Sequence, residues 1–141
     1  MVEVPASVGA KSLIAAHAVI SGWTIEIGVM PDSPDKIIVI TDTGGSVPNP
    51  KWLIDYPTIQ IMVRGTTSGY LDTFVEAKAV KDLLLGLTSA NINGDRWDSI
   101  TGNGDLGFIG RDEDMRPIWS MNFGLIIEPQ VVANTNRLAL P

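Results

Sequence analysis

Asp42-Thr43-Gly44 follows the apolar run Ile37-Ile38-Val39-Ile40, so a carboxylate stands where a strand gives way to a glycine turn. Two carboxylates that approach closely can share one proton and divide the roles of acid and base, and a homodimer could supply them as Asp42 of each chain. A second set, Asn91, Asn93, Asp95, Asn103 and Asp105, offers the oxygen ligands that calcium takes. The twelfth position of a loop begun at Asn91 is Gly102, however, where an EF-hand needs a glutamate. His17 is the single histidine; it lies among alanines with no adjacent Ser or Cys, and no second histidine exists to form a zinc pair. No Walker loop or dinucleotide fingerprint is present. The plain reading of Asp42-Thr43-Gly44-Gly45, of the Asn/Gly-rich stretch and of Asp112-Glu113-Asp114 is turn chemistry, which these residue types favour.

Asp42-Thr43-Gly44 together with Phe108-Ile109-Gly110-Arg111 resembles the retroviral-type aspartic proteases, in which an apolar-apolar-Gly-Arg segment supports the active-site loop. The sequence departs from that pattern in three ways. A helical segment, Tyr70 to Leu87, separates the two motifs, whereas those enzymes are nearly all β. Gly110-Arg111 leads through Asp112-Glu113-Asp114 to Arg116-Pro117 and a strand rather than into a helix. The glycine-tipped hairpin that would close over a substrate is missing.

Composition narrows the classes further. A chain of 141 residues is the length of one domain and can bury a core without staples. It has no cysteine, so no disulfide framework or thiolate metal site exists; this fits a reducing cytosol without demanding it. The net charge is −6, and no Lys/Arg cluster forms the basic stripe of a nucleic-acid binder. Such a surface would suit a channel through which DNA slides without sticking. The most apolar N-terminal stretch, Leu13 to Ile20, is far short of the roughly 20 residues of a membrane span. Glu3 also removes the basic start expected of a secretory signal. The four tryptophans, Trp23, Trp52, Trp97 and Trp119, are spread along the chain and read as core or subunit contacts.

The elements that must position these residues follow from periodicity. Residues 7–21 read as a helix capped by Ser7, with Leu13, Ala16 and Ile20 on its apolar face and Ser21-Gly22 as the stop. Thr24 to Met30 alternates as a half-buried strand, and Pro31 to Asp35 is a turn. Ile37 to Ile40, β-branched throughout, reads as a strand covered on both faces. Asp42 to Pro50 reads as a loop. Thr58 to Arg64 alternates, with Ile59, Ile61 and Val63 on one face and Gln60, Met62 and Arg64 on the other. Tyr70 to Leu87 is a helix with Tyr70, Phe74, Ala77, Val80, Leu84 and Leu87 at three- and four-residue steps; Asp72, Glu76, Lys81 and Asp82 lie elsewhere on it. Thr88 to Asp95 leaves the helix, and Arg96–Thr101 and Leu106–Ile109 are short strands. Gly110 to Arg116 is a turn. Pro117 to Ile127 is a long strand with Trp119, Met121, Phe123, Leu125 and Ile127 on one face. The expected architecture is therefore α+β: a mainly antiparallel sheet of four to six strands with two main helices on one face, in the order α-β-β-β-α-β-β. Residues 1–128 form a single domain, and 129–141, without periodicity, an arm or tail.

Several segments in order resemble the minor capsid and tail-terminator family of long-tailed bacteriophages. They are Met30-Pro31-Asp32 with Ser33-Pro34-Asp35; the strand into Asp42-Thr43-Gly44-Gly45; Asp55 through Gly65, followed at once by a helix; Phe108-Ile109-Gly110-Arg111-Asp112-Glu113; and Arg116-Pro117 with the strand carrying Asn122-Phe123. Order and spacing match over roughly residues 22–128. The resemblance implies a small α+β subunit that closes into a six-fold ring. That ring would cap the tail-tube protein, stop its polymerisation and offer its other face to the head-tail connector protein, with DNA passing through unbound. It implies no cofactor, no metal, no catalysis and no membrane. The protein would belong to the virion tail or neck and assemble in the host cytoplasm.

Arg64, Arg111 and Arg116 flank strand ends and could bridge to carboxylates on a neighbouring subunit; ordinary surface arginines are the alternative. The apolar stretches Val131-Val132 and Leu138-Ala139-Leu140 could dock on a neighbour. Three readings thus stand in order: a tail or neck assembly protein, a small soluble binding or regulatory module, and an aspartic protease built on Asp42.

Overall fold

Ile37, Ile38, Val39 and Ile40 are all buried, so the strand they form is covered on both faces, and the rest of the sheet is built outward from it. The computed structural model describes residues 4–17, 22–49 and 54–129. In chain order the elements are α1 (Ala6–Ala15), β1 (Thr24–Ile27), β2 (Ile37–Asn49), β3 (Ile54–Arg64), α2 (Tyr70–Leu85), β4 (Ala90–Ile92), β5 (Asp95–Gly102), β6 (Gly107–Arg111) and β7 (Pro117–Pro129). The fold is α+β, as expected, with seven strands in the order β1-β2-β3-β7-β5-β4 and β6 also on β7. Every pairing is antiparallel except β1 with β2.

The strand beyond those expected is β4, whose pairing local sequence conceals. Asn93 (φ 53°) and Gly94 (φ 87°) form a two-residue Asn-Gly hairpin, which converts the expected exit from α2 into β4 paired with β5. β5 lies against Phe123–Pro129 of β7, and β6 lies against Pro117–Ser120 on the same edge. The Asn103 amide, donating to the Asn122 carbonyl at 2.9 Å, bridges the gap. The two act as one interrupted strand, which makes the sheet six positions wide.

Of the expected loop over Asp42 to Pro50, Pro50 lies outside the described residues, and Asp42 to Asn49 is instead the outer half of β2. Register shifts between Asp42 and Gly45 and between Ser46 and Asn49 absorb its irregular residues. Gly45 (φ 135°) is required there, because a Cβ would sit 2.1 Å from the Tyr56 carbonyl oxygen. Its partner β3 accordingly starts at Ile54 rather than Thr58. β1 is shorter than expected, and Gly28 turns the chain into the connection that brings β2 back parallel to it.

One face of the sheet, carrying Ile38, Ile40, Ile59, Ile61, Val63, Trp119, Met121, Phe123, Leu125 and Ile127, packs on Ala10 and Ile14 of α1 and on Ala77, Val80 and Leu84 of α2. Both helices therefore cover the same face. Burying such side chains contributes about 1.5–3 kcal/mol each before entropy is counted. α1 sits so close to β5 that a Cβ on Gly9 would be 2.5 Å from the Trp97 ring. It ends at Ala15 rather than near residue 21: beyond Ile14 the next position on its buried face is His17, which is exposed.

α2 is rotated from the expected face. Thr73 and Glu76 are buried with Ala77, Val80 and Leu84, while Tyr70 is partly exposed and Phe74 and Leu87 sit at the core's margin. The rotation is permitted by Gly65, where a Cβ would come within 1.8 Å of the Thr73 hydroxyl oxygen. Ser21, Trp52 and the tail beyond Pro129 lie outside the described residues.

Candidate functional site

Asp42, the carboxylate that opened the enzyme reading, is a helix cap. Its Oδ1 accepts the Ser7 amide at 3.0 Å and its Oδ2 accepts the Ser7 hydroxyl at 2.6 Å. Ser7 is fully buried in the first turn of α1, and Pro5 before that turn provides no side-chain cap. A carboxylate at a helix N-terminus satisfies an orphan donor and complements the helix dipole. Ser7 is thus the donor to the cap rather than the cap itself. Thr43 and Thr58 share a 2.7 Å hydrogen bond that ties β2 to β3. The Gly110-Arg111 segment lies elsewhere. Asp42 pairs with Ile59, which pairs with Phe123, whereas β6 ends against Pro117.

The remaining chemical candidates also resolve into structure. Asn93 makes the β4–β5 turn, and Asp105 accepts the Leu106 amide at 2.7 Å and pairs with Lys81 at 2.9 Å. Among the described residues no group of three His, Asp or Glu side chains could hold a metal ion.

The three arginines occupy two settings. Arg64 and Arg116 are buried at the β3/β7 end of the sheet, where they grip the connection between β1 and β2. Arg64 donates to the Pro34 carbonyl at 2.7 Å and the Asp35 carbonyl at 3.2 Å. Since Arg64 alternates with Val63, this connection crosses the sheet face opposite the helices. The Arg116 guanidinium bonds Asp112 Oδ2 at 2.8 Å, Asp32 Oδ1 and Asp35 Oδ1 at 3.0 Å each, and Asp114 Oδ2 at 3.2 Å. Burial works to lower the Arg116 pKa, but hydrogen bonds to Asp35, Asp112 and Asp32 outweigh it and raise the value. Arg64 moves down, through burial and the neighbouring Arg116 charge. Asp112 is held below the usual carboxylate range: burial raises it, but the Arg116 backbone and side chain more than compensate. Arg111 is exposed and donates to the Thr67 carbonyl at 2.7 Å and to the Met115 carbonyl, which closes the turn between β6 and β7. The partners of Arg64 and Arg116 lie up to 84 residues away, a separation no local pattern reveals.

Among the described residues, two surfaces remain without an internal role. The first joins the start of α2 to β6. Tyr70, Phe74, Phe108 and Trp119 form an aromatic cluster with ring centroids 5.1–5.5 Å apart. Tyr70 and Phe108 are each about two-fifths exposed, and Leu71 and Val75 on the same helix are more so. Among the described residues, no strand pairs with the outer edge of β6. The second surface is the outer half of β2, which runs past the end of β1 with Asp42 to Pro48 exposed and Val47 86% accessible. Sequence patterning missed both, because a helix period identifies an apolar stripe but not the apolar residues left outside the core.

An α+β domain whose acidic and polar residues serve as caps and turns, and whose two unlike surfaces face outward, is an assembly subunit. The family model of the bacteriophage tail terminator protein matches residues 12–129, and the chain belongs to that family. It is a structural, non-enzymatic component of the virion tail. The fold is shared with a solved chain from the virion of a native gene transfer agent particle, with a TM-score of 0.71 at 15% identity, covering 86% of this chain and 93% of that one. No curated protein matches the sequence. The family resemblance read from the ordered segments is therefore correct.

Proposed function

We propose that six copies of this chain close into a ring that seats on the last ring of the tail tube, ends its polymerisation and presents its opposite face to the head-side connector. The observation that carries this reading is the presence of two unlike exposed surfaces on one subunit. The α2/β6 aromatic patch and the outer half of β2 lie on different strands of the sheet, separated by β3 and β7. A ring needs a heterologous contact, in which one surface of each copy meets a different surface of the next. Exposed strand edges and apolar patches are the usual means of forming it. The net charge of −6 fits a lumen that lets DNA pass without binding it.

Arg64, Arg111 and Arg116 enter this reading at the interface. Arg111 reaches the surface beside the aromatic patch, and Arg64 and Arg116 hold Asp32, Asp35 and Asp114, all exposed, in fixed positions from which they can meet a neighbour.

The test combines light scattering on a sizing column with electron microscopy, for the chain alone and for the chain added to capless tail tubes. A particle of six 15.1 kDa chains with a central hole, and tubes that stop growing, is the expected result. The double variant Leu71→Glu/Phe108→Glu is expected to stay folded and lose ring formation. A monomer that neither associates nor affects tube growth overturns the proposal.

A further inference from the structure

Past the first turn of α1, the helix-facing side of the sheet continues as an open groove of about 440 Å³. Val4 and Ala6, Ser46 and Tyr56 of the β2–β3 hairpin, and Ile127 and Pro129 of β7 line it, with Asp55 and Asp95 adding negative charge. The volume is that of a binding cleft for a few side chains. Pro129 is also where the last described strand ends, and residues 130–141 follow it.

The composition of that segment fits the groove. Val131-Val132-Ala133 and Leu138-Ala139-Leu140 are apolar, Arg137 is its lone charged side chain, and Asn134-Thr135-Asn136 separates the two apolar groups. An apolar segment complements a groove lined by Val4, Ala6, Ile127 and Pro129. The Leu138–Leu140 group lies nine residues beyond Pro129, a reach of up to about 30 Å when extended. An anchor held nine residues beyond the strand, past the polar Asn134-Thr135-Asn136, is suited to reaching another subunit rather than to closing over its own exit point. The outer half of β2 beside the groove extends past β1, so an arriving segment can also pair with its backbone.

We infer that this groove receives residues 138–140 of a neighbouring copy, so that each subunit of the ring clasps the next with its C-terminal segment. The inference rests on the ring reading above and specifies one of its contacts. An arm that crosses from one copy to a groove on the next is a heterologous contact, and around a closed ring every groove is filled.

The chain has no native cysteine, which makes the test direct. A tagged Ser46→Cys chain is mixed with an untagged Ala139→Cys chain, alone and on tail tubes, and treated with a short bismaleimide. A doubly substituted chain is treated in parallel. A tagged–untagged covalent dimer, and a ladder of linked copies from the double variant, are expected. Deleting residues 131–141 is expected to raise the concentration needed for half-assembly by about tenfold or more. Rings that form without cross-links, or cross-links only within one chain, overturn the clasp and leave the ring reading intact. Absence of any association, in solution or on tubes, overturns both.

Discussion

Replacing Asp42 with alanine removes two hydrogen bonds to a residue that is itself shut off from water. Ser7 is fully buried, and its amide and hydroxyl both donate to this one carboxylate, at 3.0 and 2.6 Å. Loss of an N-cap typically costs about 1 kcal/mol. Bonds to a charged group are worth about 1.5–3 kcal/mol, and a buried donor left without a partner carries its own cost of about 1–3 kcal/mol. Asp42 itself is exposed, so water can enter behind the alanine and offset part of this sum. The expected loss is about 2–3 kcal/mol, which for a domain of this size is a fall in Tm of roughly 8–12 °C. Asp42→Asn keeps one acceptor and should lose about half as much. Thermal unfolding followed by circular dichroism measures both. Ser7→Ala supplies the second arm of a double-mutant cycle, with a coupling of about 1–2 kcal/mol expected. Single losses that simply add, or an Asp42→Ala protein as stable as the parent, would refute the assignment of this aspartate as a cap.

Two further predictions concern buried charge. Glu76 is about nine-tenths buried, and its Oε1 has no hydrogen-bond partner among the described residues. Burial raises its pKa, with Lys36 partly opposing, so the folded state holds its proton more tightly than the unfolded state and stability falls as pH rises from about 4.3 through the folded value. Glu76→Met should therefore gain about 1–2 kcal/mol at pH 7, and the gain should shrink towards pH 4 in urea titrations. Arg116→Met leaves Asp112 half-buried without its cation; since the other carboxylates are largely exposed, the loss should be about 2–3 kcal/mol rather than the larger figure for a fully buried pair. Because the Asp112 pKa is depressed in the fold, its contribution is complete above about pH 4 and is lost as pH falls through the folded value; denaturant midpoints of the variant should show a shallower acid limb than those of the parent.

Much of the architecture was legible from side-chain period. Alternation located β3 and β7 and named their inward residues, and the unbroken β-branched run correctly announced a strand covered on both faces. These signals are readable because one face of each strand meets one continuous core, so burial repeats every second residue. The outer half of β2 was illegible for the opposite reason. Gly44, Gly45 and Pro48 are turn formers by local preference, and only a partner strand with matching irregularities holds them in a ladder. The Asn-Gly pair at 93–94 signalled a turn, but the three residues before it became a strand only because β5 lay alongside.

Residue types and spacing alone determined that this protein has an α+β fold, lacks cysteine and is acidic, and the order of its segments was sufficient to place it among the tail terminators. Which charges are spent inside the subunit was decided by tertiary structure. Asp42 became a cap because β2 delivers it to the start of α1, 35 residues away in sequence, and Arg116 became a clamp because the sheet brings it to Asp32 and Asp35 across more than 80 residues. Tertiary structure also decided which apolar residues are left over for assembly, since Leu71 and Val75 differ from Ala77 and Val80 only in the direction the helix turns them. Local sequence sets the period of each element, but the fate of a side chain depends on which elements pack against it.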